Sequence, residues 1–430
     1  MRGVRKVMGG AASALVALVL VPVGSGVARA SASPVPPACY NPVASWPLAD
    51  RVEQLLMVSG RFSDLSASAD AASAGVGALV LFGQPPAGSG PSIASGLRAL
   101  QAQAGSTGHV ALWMSTDEEG GTVARLADVI GALPSARQMA AQWSPAQTQA
   151  ALAAHAGAMR SLGVNMDLAP VLDVSPPGNP VADEADRSFS AAPGTVTSYG
   201  RAFWSGLEQG GVVPVAKHFP GLGHASADTD QGPSTDPPLS QLQADDLIPF
   251  ADSIGHGVPV VMVGHPSVPG LTGSAPASLS PAAYHYLRAT LHFGGVAITD
   301  SLDAKAIPAA GWSEPGAAAQ AIESGADMAM VGSASWPASV QALLSAVGSG
   351  SLPVSTVDSD VTLILRAKGV PPCPVVGLAS TPAPGSNGYR LAGSGGGVAS
   401  FGVATPDEGS IHGTHLQQPV VGMAATPTGR

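Results

Sequence analysis

The chain has 430 residues and a formal net charge of −10, with 45% apolar and 11% charged side chains. Its 54 glycines and 39 prolines follow no fixed period, which excludes a collagen-like chain, and the apolar content is too high for a wholly disordered one. No run of lysine or arginine stands out, so we expect neither a nucleic acid nor an anionic membrane surface as a partner.

The first thirty residues predict a secretory signal peptide. Arg2, Arg5 and Lys6 precede an apolar stretch at 11–24, and residues 28–30 (Ala-Arg-Ala) match a small-x-small cleavage site. The apolar stretch is shorter than the ~18 residues expected of a spanning helix. An uncleaved anchor is the alternative. We therefore expect a protein that is secreted or held in the cell envelope, with no membrane span after cleavage.

Two cysteines, Cys39 and Cys373, bracket nearly everything that is predicted to fold. In an oxidising compartment they can pair, and the bridge would join the beginning of the domain to its end. The alternative is two inert buried thiols. We assign residues 31–45 to a lead-in segment and 46–376 to the folded domain. Residues 377–430 are rich in Gly, Ser, Pro and Ala and predict a flexible tail.

Eight short apolar runs alternate with helix-like stretches inside the folded domain. They lie at 55–60, 77–83, 109–116, 164–171, 213–219, 258–265, 295–300 and 325–332. Most lack strict polar alternation, which is typical of parallel strands that are buried on both faces.

The clearest helix is predicted over 145–162, because Ser144 suits the N-cap, Pro145 the first position and Gly163 the stop. Eight strands with helical crossovers predict an α/β fold, a (β/α)8 TIM barrel. An open doubly wound sheet is the alternative. No Gly-rich phosphate-binding sequence follows the first strand, which disfavours a dinucleotide-binding fold, and we expect no cofactor.

Charged and histidine side chains follow the ends of successive predicted strands, where a barrel builds its active site. They are Asp117, Asp173, Lys217, His218, His265 and Asp300. A catalytic metal on Asp173, His218 and His265 is disfavoured because Lys217 would repel a cation, so we expect no metal. Carboxylates among Lys, Arg and His fit a neutral polyol better, and glycoside hydrolysis needs two such groups around an acetal.

Several long segments resemble glycoside hydrolase family 3, in its single-domain bacterial β-N-acetylhexosaminidase branch, over residues 45–370. They are TDEEGGTVARL (116–126), NMDLAPVLDV (165–174), DRSFS (186–190), KHFPGLGHASADTD (217–230), VMVGHPSVPGLTGSAPASLS (261–280), ITDSLDAKAI (298–307) and ESGADMAMV (323–331). The resemblance implies a barrel with an exo-acting, retaining mechanism. It also implies a glycan substrate with a terminal β-linked N-acetylglucosamine, as in cell-wall or muropeptide-type fragments.

The resemblance also implies individual roles. Asp300 matches the nucleophile that forms the glycosyl-enzyme. The residues that match sugar-binding positions, together with the histidine at the end of the sixth strand, are Asp117, Arg125, Arg187, Lys217, His218 and His265. We expect a monomer.

One departure from the family concerns the general acid/base, which is the histidine of an Asp-x-His sequence. Here that sequence is Asp228-Thr229-Asp230, so Asp230 replaces the histidine. The neighbouring Asp228 would raise the pKa of Asp230, and His224 in the same loop is the other candidate acid. Two hypotheses remain, an active β-N-acetylglucosaminidase and a weakly active or inactive relative that binds wall sugars.

Overall fold

The computed structural model describes residues 43–179, 181 and 186–370, and the backbone of 375–380, 389–393 and 398–401. The predicted signal peptide, both cysteines and most of the lead-in lie outside the described residues. The cleavage site and the Cys39–Cys373 bridge therefore stay predictions.

Eight parallel strands close into a barrel. In chain order they are β1 (Leu56–Arg61), β2 (Ala78–Phe82), β3 (Trp113–Thr116), β4 (Met166–Asp167), β5 (Val213–Phe219), β6 (Val260–Val263), β7 (Val296–Ser301) and β8 (Met328–Val331). Each strand pairs with the next in the sequence, and β8 pairs with β1, with Leu56 opposite Ala329. This arrangement confirms the predicted (β/α)8 barrel and excludes the open doubly wound sheet.

Helices connect the strands. The α-helices are Leu48–Glu53, Ala69–Ala74, Gly90–Ser106, Ala127–Ile130, Ala136–Gln142, Pro145–Leu162, Pro193–Gln209, Leu239–Ala244, Leu247–Gly255, Pro281–His285, Ala306–Ala309, Glu314–Ser324, Trp336–Ser349 and Val354–Ala367. Short 3₁₀ turns lie at Val43–Ser45, Leu65–Ser68 and Ala277–Leu279, and a π-helical turn at Tyr286–Thr290. In the described part of the chain no helix combines the length and apolarity needed to cross a membrane.

The helix Pro145–Leu162 has the predicted bounds. The Ser144 hydroxyl accepts the Gln147 N–H while the Gln147 side chain accepts the Ser144 N–H, which forms a capping box. Gly163 ends the helix with a φ of 99°, a left-handed conformation that favours glycine.

Strand β4 is shorter than its apolar run predicts. The run covers 164–171, but only Met166 and Asp167 form a strand. Pro170 has no N–H to donate, and past it only the isolated bridge of Val171 with Lys217 continues toward β5. The main chain nevertheless stays bonded to β5 as far as Leu172, whose N–H donates to the Lys217 carbonyl at 2.6 Å, and this brings Asp173 beside His218.

Part of the predicted tail contains strands. Val375–Ser380, Tyr389–Gly393 and Val398–Phe401 form a three-stranded antiparallel sheet. The first strand crosses the predicted boundary at residue 377. Each run is only four to six residues long and contains Gly, Ala or Ser, so no periodicity in the sequence marks it as a strand.

Candidate active site

A cavity of about 510 Å³ opens at the carboxyl ends of the barrel strands. Eight residues that the sequence predicts for the site line it: Asp117, Arg125, Arg187, Lys217, His218, Asp228, Asp230 and Asp300. They come from the ends of β3, β4, β5 and β7 and from the segments that follow, which closure of the barrel brings to one mouth.

Four charged side chains at the base of the cavity form the Lys217 network, which consists of Asp117, Glu119, Arg187 and Lys217. Lys217 Nζ lies 2.9 Å from Asp117 Oδ1 and 2.6 Å from Glu119 Oε1. Arg187 binds both oxygens of Glu119 through Nε and Nη2, each at 2.8 Å. Lys217 and Glu119 are buried, so each charge depends on its partners to offset the loss of water.

The network sets the ionisation of its members. Burial alone would raise the pKa of Glu119, but Arg187 and Lys217 outweigh it and hold that pKa well below its usual range. Burial likewise opposes the charge of Lys217, and Asp117 and Glu119 reverse this and raise its pKa. The base of the cavity therefore presents fixed charges near neutral pH.

Glu119 is a site residue that the sequence analysis does not assign. It follows Glu118 in a short hairpin formed by Glu118–Gly120 and Val123–Ala124. Alternation along the strand sends the two carboxylates to opposite sides. Glu118 contacts His155 Nε2 at 3.1 Å and accepts the Leu126 N–H, whereas Glu119 lines the cavity. The alternation rule applied to these adjacent glutamates is the signal that separates them.

His218 is oriented by Asp173. Its Nδ1 lies 2.7 Å from Asp173 Oδ2, while Asp173 Oδ1 accepts the N–H groups of His218 and Leu222 at 3.2 and 2.8 Å. Arg187 Nη2 approaches the other ring nitrogen at 3.5 Å. Asp173 thus fixes both the imidazole ring and the first turn of the loop that follows β5.

The structure does not assemble the metal alternative from Asp173, His218 and His265. Among the described residues, the titratable groups at ligand-like spacing are instead His224, Asp245 and Asp246, whose candidate atoms lie within 4.8 Å of one another.

Asp300 stands at the end of β7, and Ser301 N–H donates to its Oδ1 at 2.8 Å. Burial would raise the pKa of Asp300, but the His218 and His265 rings, the Ser301 N–H and Lys217 outweigh it and lower that pKa. Asp300 is therefore a carboxylate over most of the pH range and faces the cavity.

His265 lies behind Asp300 and is not among the described residues that line the cavity. Its Nε2 donates to the Ser301 carbonyl at 2.8 Å and its Nδ1 lies 2.7 Å from Ser278 Oγ. Both ring nitrogens are therefore occupied by protein groups. The structure places this predicted sugar ligand in a supporting position, because its side chain leaves β6 toward the neighbouring strand.

The 228–231 turn carries the altered tripeptide. Asp230 N–H donates to Asp228 Oδ1 at 2.8 Å, and both side chains line the cavity. Partial burial, together with the charges of Asp300 and Asp228, raises the pKa of Asp230. Asp300 and Asp230 thus share a cavity while their pKa values shift in opposite directions.

His224, the other candidate acid, points elsewhere. Its Nδ1 lies 3.1 Å from each oxygen of the buried Asp246, and it is not among the described lining residues. The preceding residue, Gly223, is packed so closely that a Cβ there would lie 1.8 Å from the Val174 carbonyl oxygen. The loop therefore leaves β5 on a fixed path that delivers the 228–231 turn, rather than His224, to the cavity.

Comparisons with known proteins agree with the barrel fold and identify the family. The family description "Glycosyl hydrolase family 3 N terminal domain" matches residues 47–367. The chain is 37% identical over 360 residues to the β-hexosaminidase LpqI of Mycobacterium tuberculosis, which covers 81% of this chain and 90% of that protein.

Solved structures are similar as well. The structure of M. tuberculosis LpqI superimposes with a TM-score of 0.70 at 37% identity, covering 79% of this chain and 99% of that one. A β-N-acetylhexosaminidase from Beutenbergia cavernae gives a TM-score of 0.70 at 31% identity, covering 76% of this chain and 99% of that one.

Proposed function

Because this chain belongs to glycosyl hydrolase family 3 and is a glycoside hydrolase, we propose that it is an exported, exo-acting, retaining β-N-acetylglucosaminidase. Its substrates are cell-wall or muropeptide-type glycans with a terminal β-linked N-acetylglucosamine. The observation that carries the proposal is that Asp300 and Asp230 line one cavity while their pKa values shift in opposite directions, downward for Asp300 and upward for Asp230. Two carboxyl groups with pKa values driven apart suit the nucleophile and the general acid that a retaining reaction needs.

In the first step Asp300 attacks the anomeric carbon, forming an ester bond to C1 as the bond from C1 to the glycosidic oxygen breaks. Asp230 gives its proton to that oxygen, so the leaving group departs as an alcohol. In the second step Asp230, now a carboxylate, takes a proton from water, and the resulting hydroxide equivalent attacks C1. Asp300 is released, and two inversions leave the product with the configuration of the substrate.

In the proposed function, the Lys217 network and His218 bind the hydroxyl groups of the sugar. Charged donors and acceptors form strong hydrogen bonds with sugar hydroxyls. Arg125 also lines the cavity and adds a further charged donor group, and its Nε lies 4.0 Å from the Asp117 carboxylate. A cavity of about 510 Å³ is in the range of small-ligand sites, which suits recognition of a terminal sugar.

Export is supported by the sequence of residues 1–30, and a hexosaminide substrate by the name of the related LpqI protein, a β-hexosaminidase. We propose that the mature protein is secreted or retained in the envelope and acts as a monomer.

The test is turnover of nitrophenyl β-N-acetylglucosaminide beside an N-acetylglucosamine disaccharide, with the first-formed product anomer read by NMR. Release of the β-anomer supports the proposal, and release of the α-anomer contradicts it. The replacement of the family histidine by Asp230 favours one other candidate, a sugar-binding relative. An enzyme that is inert on N-acetylglucosamine, glucose and xylose nitrophenyl glycosides, but binds wall fragments, would establish that candidate.

A further inference from the structure

The 228–231 turn is bonded to the segment that follows the nucleophile, which we call the 301–306 segment. The Thr229 carbonyl accepts the Ala306 N–H at 3.1 Å, and Lys305 Nζ donates to Gln231 Oε1 at 3.0 Å. Thr229 is buried, at 2% exposure. One hydrogen bond on each side of Asp230 therefore connects it to the segment that follows Asp300.

The turn is internally compact. Besides the Asp230 N–H bond to Asp228 Oδ1, the Gln231 and Gly232 N–H groups donate to the Asp228 carbonyl at 3.1 and 3.2 Å. Gln231 consequently cannot shift without moving Asp230. A contact made by the Gln231 side chain is therefore transmitted to the neighbouring carboxylate.

We propose that Lys305 is a positioning residue that acts through Gln231 to hold Asp230 in reach of the glycosidic oxygen. This inference rests on the proposed function, in which Asp230 is the acid. An aspartate is shorter than the histidine it replaces, and a misplacement of ~1 Å at a reacting group can cost ~10²-fold in rate. The bond between Lys305 and Gln231 restricts the turn on the side that the Thr229 carbonyl does not hold.

Lys305 could instead act by its charge, because it lines the cavity itself. A substitution of Gln231 distinguishes the two roles of Lys305, because Gln231 is uncharged and is not among the described lining residues. If Lys305 acted only on the substrate or on the charge of Asp230, removing the Gln231 amide would change nothing.

The experiment compares Lys305→Met, Gln231→Met and the double variant on a nitrophenyl β-N-acetylglucosaminide and on a disaccharide. An exposed hydrogen bond is modest in strength, so each single variant should lower kcat on the disaccharide about 3- to 10-fold, with a much smaller effect on the activated substrate and little change in KM. The double variant should be no slower than either single variant, because both remove the same bond. Lys305→Arg, which keeps a donor, should recover most of the loss.

Gln243→Met is the matched control, since Gln243 donates to the Tyr286 hydroxyl at an exposed position away from the cavity, and it should behave as the parent. A silent Gln231→Met, additive single effects, or equal losses on both substrates would each overturn the inference. Failure of the proposed function looks different: Asp230→Ala would then leave disaccharide turnover unchanged. If Asp230→Ala is slow while Lys305→Met and Gln231→Met are not, only the positioning role fails.

Discussion

The Lys217 network and the 228–231 turn line the same cavity and are built in opposite ways. The network is buried and doubly paired, with Lys217 bound to two carboxylates and Arg187 binding both oxygens of Glu119. The turn leaves Asp230 partly open to solvent and holds it by main-chain bonds and by the side chains of Asp228 and Gln231. A change in the first region leaves a buried charge unpaired, whereas a change in the second alters chemistry and leaves the fold intact. This difference explains how position 230, the proposed acid, can depart from the family pattern while Asp117, Arg187 and Lys217, the proposed sugar-binding residues, keep it.

The largest expected effect is on Asp300. Asp300→Asn cannot form the covalent ester, so kcat on nitrophenyl glycosides should fall on the order of 10⁴-fold or more. The melting temperature should stay near that of the parent, because Asn keeps the size of the side chain. Asp303→Asn is the matched control, since Asp303 also lines the cavity but bonds to Ser301 Oγ. Substantial turnover by Asp300→Asn would reassign the nucleophile.

The second-largest effect is expected at Asp230, where the loss of turnover should depend on the leaving group of the substrate. Nitrophenolate departs without a proton, whereas a sugar alkoxide needs one, and general acid help is worth about 10²–10⁴-fold. Asp230→Ala should therefore lose that factor on disaccharides and far less on nitrophenyl glycosides. Added azide should restore the second step and yield a β-glycosyl azide. Equal turnover of both substrate classes by Asp230→Ala and the parent would exclude Asp230 as the acid.

Substitutions of the two lysines that line the cavity should differ in their effect on protein stability. Lys217→Met leaves Asp117 and Glu119 without their shared cation, and breaking a buried pair costs about 3–5 kcal/mol in the free energy of unfolding. Lys305→Met removes only an exposed bond and should cost less than ~1 kcal/mol. Urea unfolding of both variants measures the contrast. Similar losses in the free energy of unfolding would show that the paired charges at the base of the cavity contribute no more to stability than the exposed bond of Lys305.

The smallest effect concerns pH. The proposed mechanism requires Asp300 ionised and Asp230 protonated, and the pKa of Asp300 is lowered while that of Asp230 is raised. Activity should therefore fall on the acid side only below the usual aspartate range, and on the basic side as the pH rises through the raised pKa of Asp230. Asp230→His should move the basic limb toward the ordinary histidine pKa of about 6.5. A profile of kcat/KM against pH checks this, and an unmoved basic limb would assign it to another group.

The barrel was predictable because buried parallel strands leave apolar runs, and closure then carries each strand-end residue to one mouth. The directions of individual side chains were harder to predict from the sequence. Glu119 could be separated from Glu118 only through the hairpin, and the positions of His224 and His265 depend on Asp246, Ser278 and Ser301, which lie far away in sequence. Pro170 shortens β4, and strands of four to six residues in the tail leave no detectable period.

The tight packing at Gly223 has a consequence for protein engineering. No side chain fits against the Val174 carbonyl, and Asp173 fixes the neighbouring main chain, so the path of the loop is decided before the chain reaches Asp228. The residue at position 230 is therefore carried to the cavity whatever its side chain, and on our proposal the bond between Lys305 and Gln231 then sets its reach. A small library at that single position could therefore exchange the proposed acid for a weaker acid or for none. Given an acceptor that needs no general base, such as a thiolate, these variants would transfer sugars from activated donors but would not hydrolyse the thioglycosides they make.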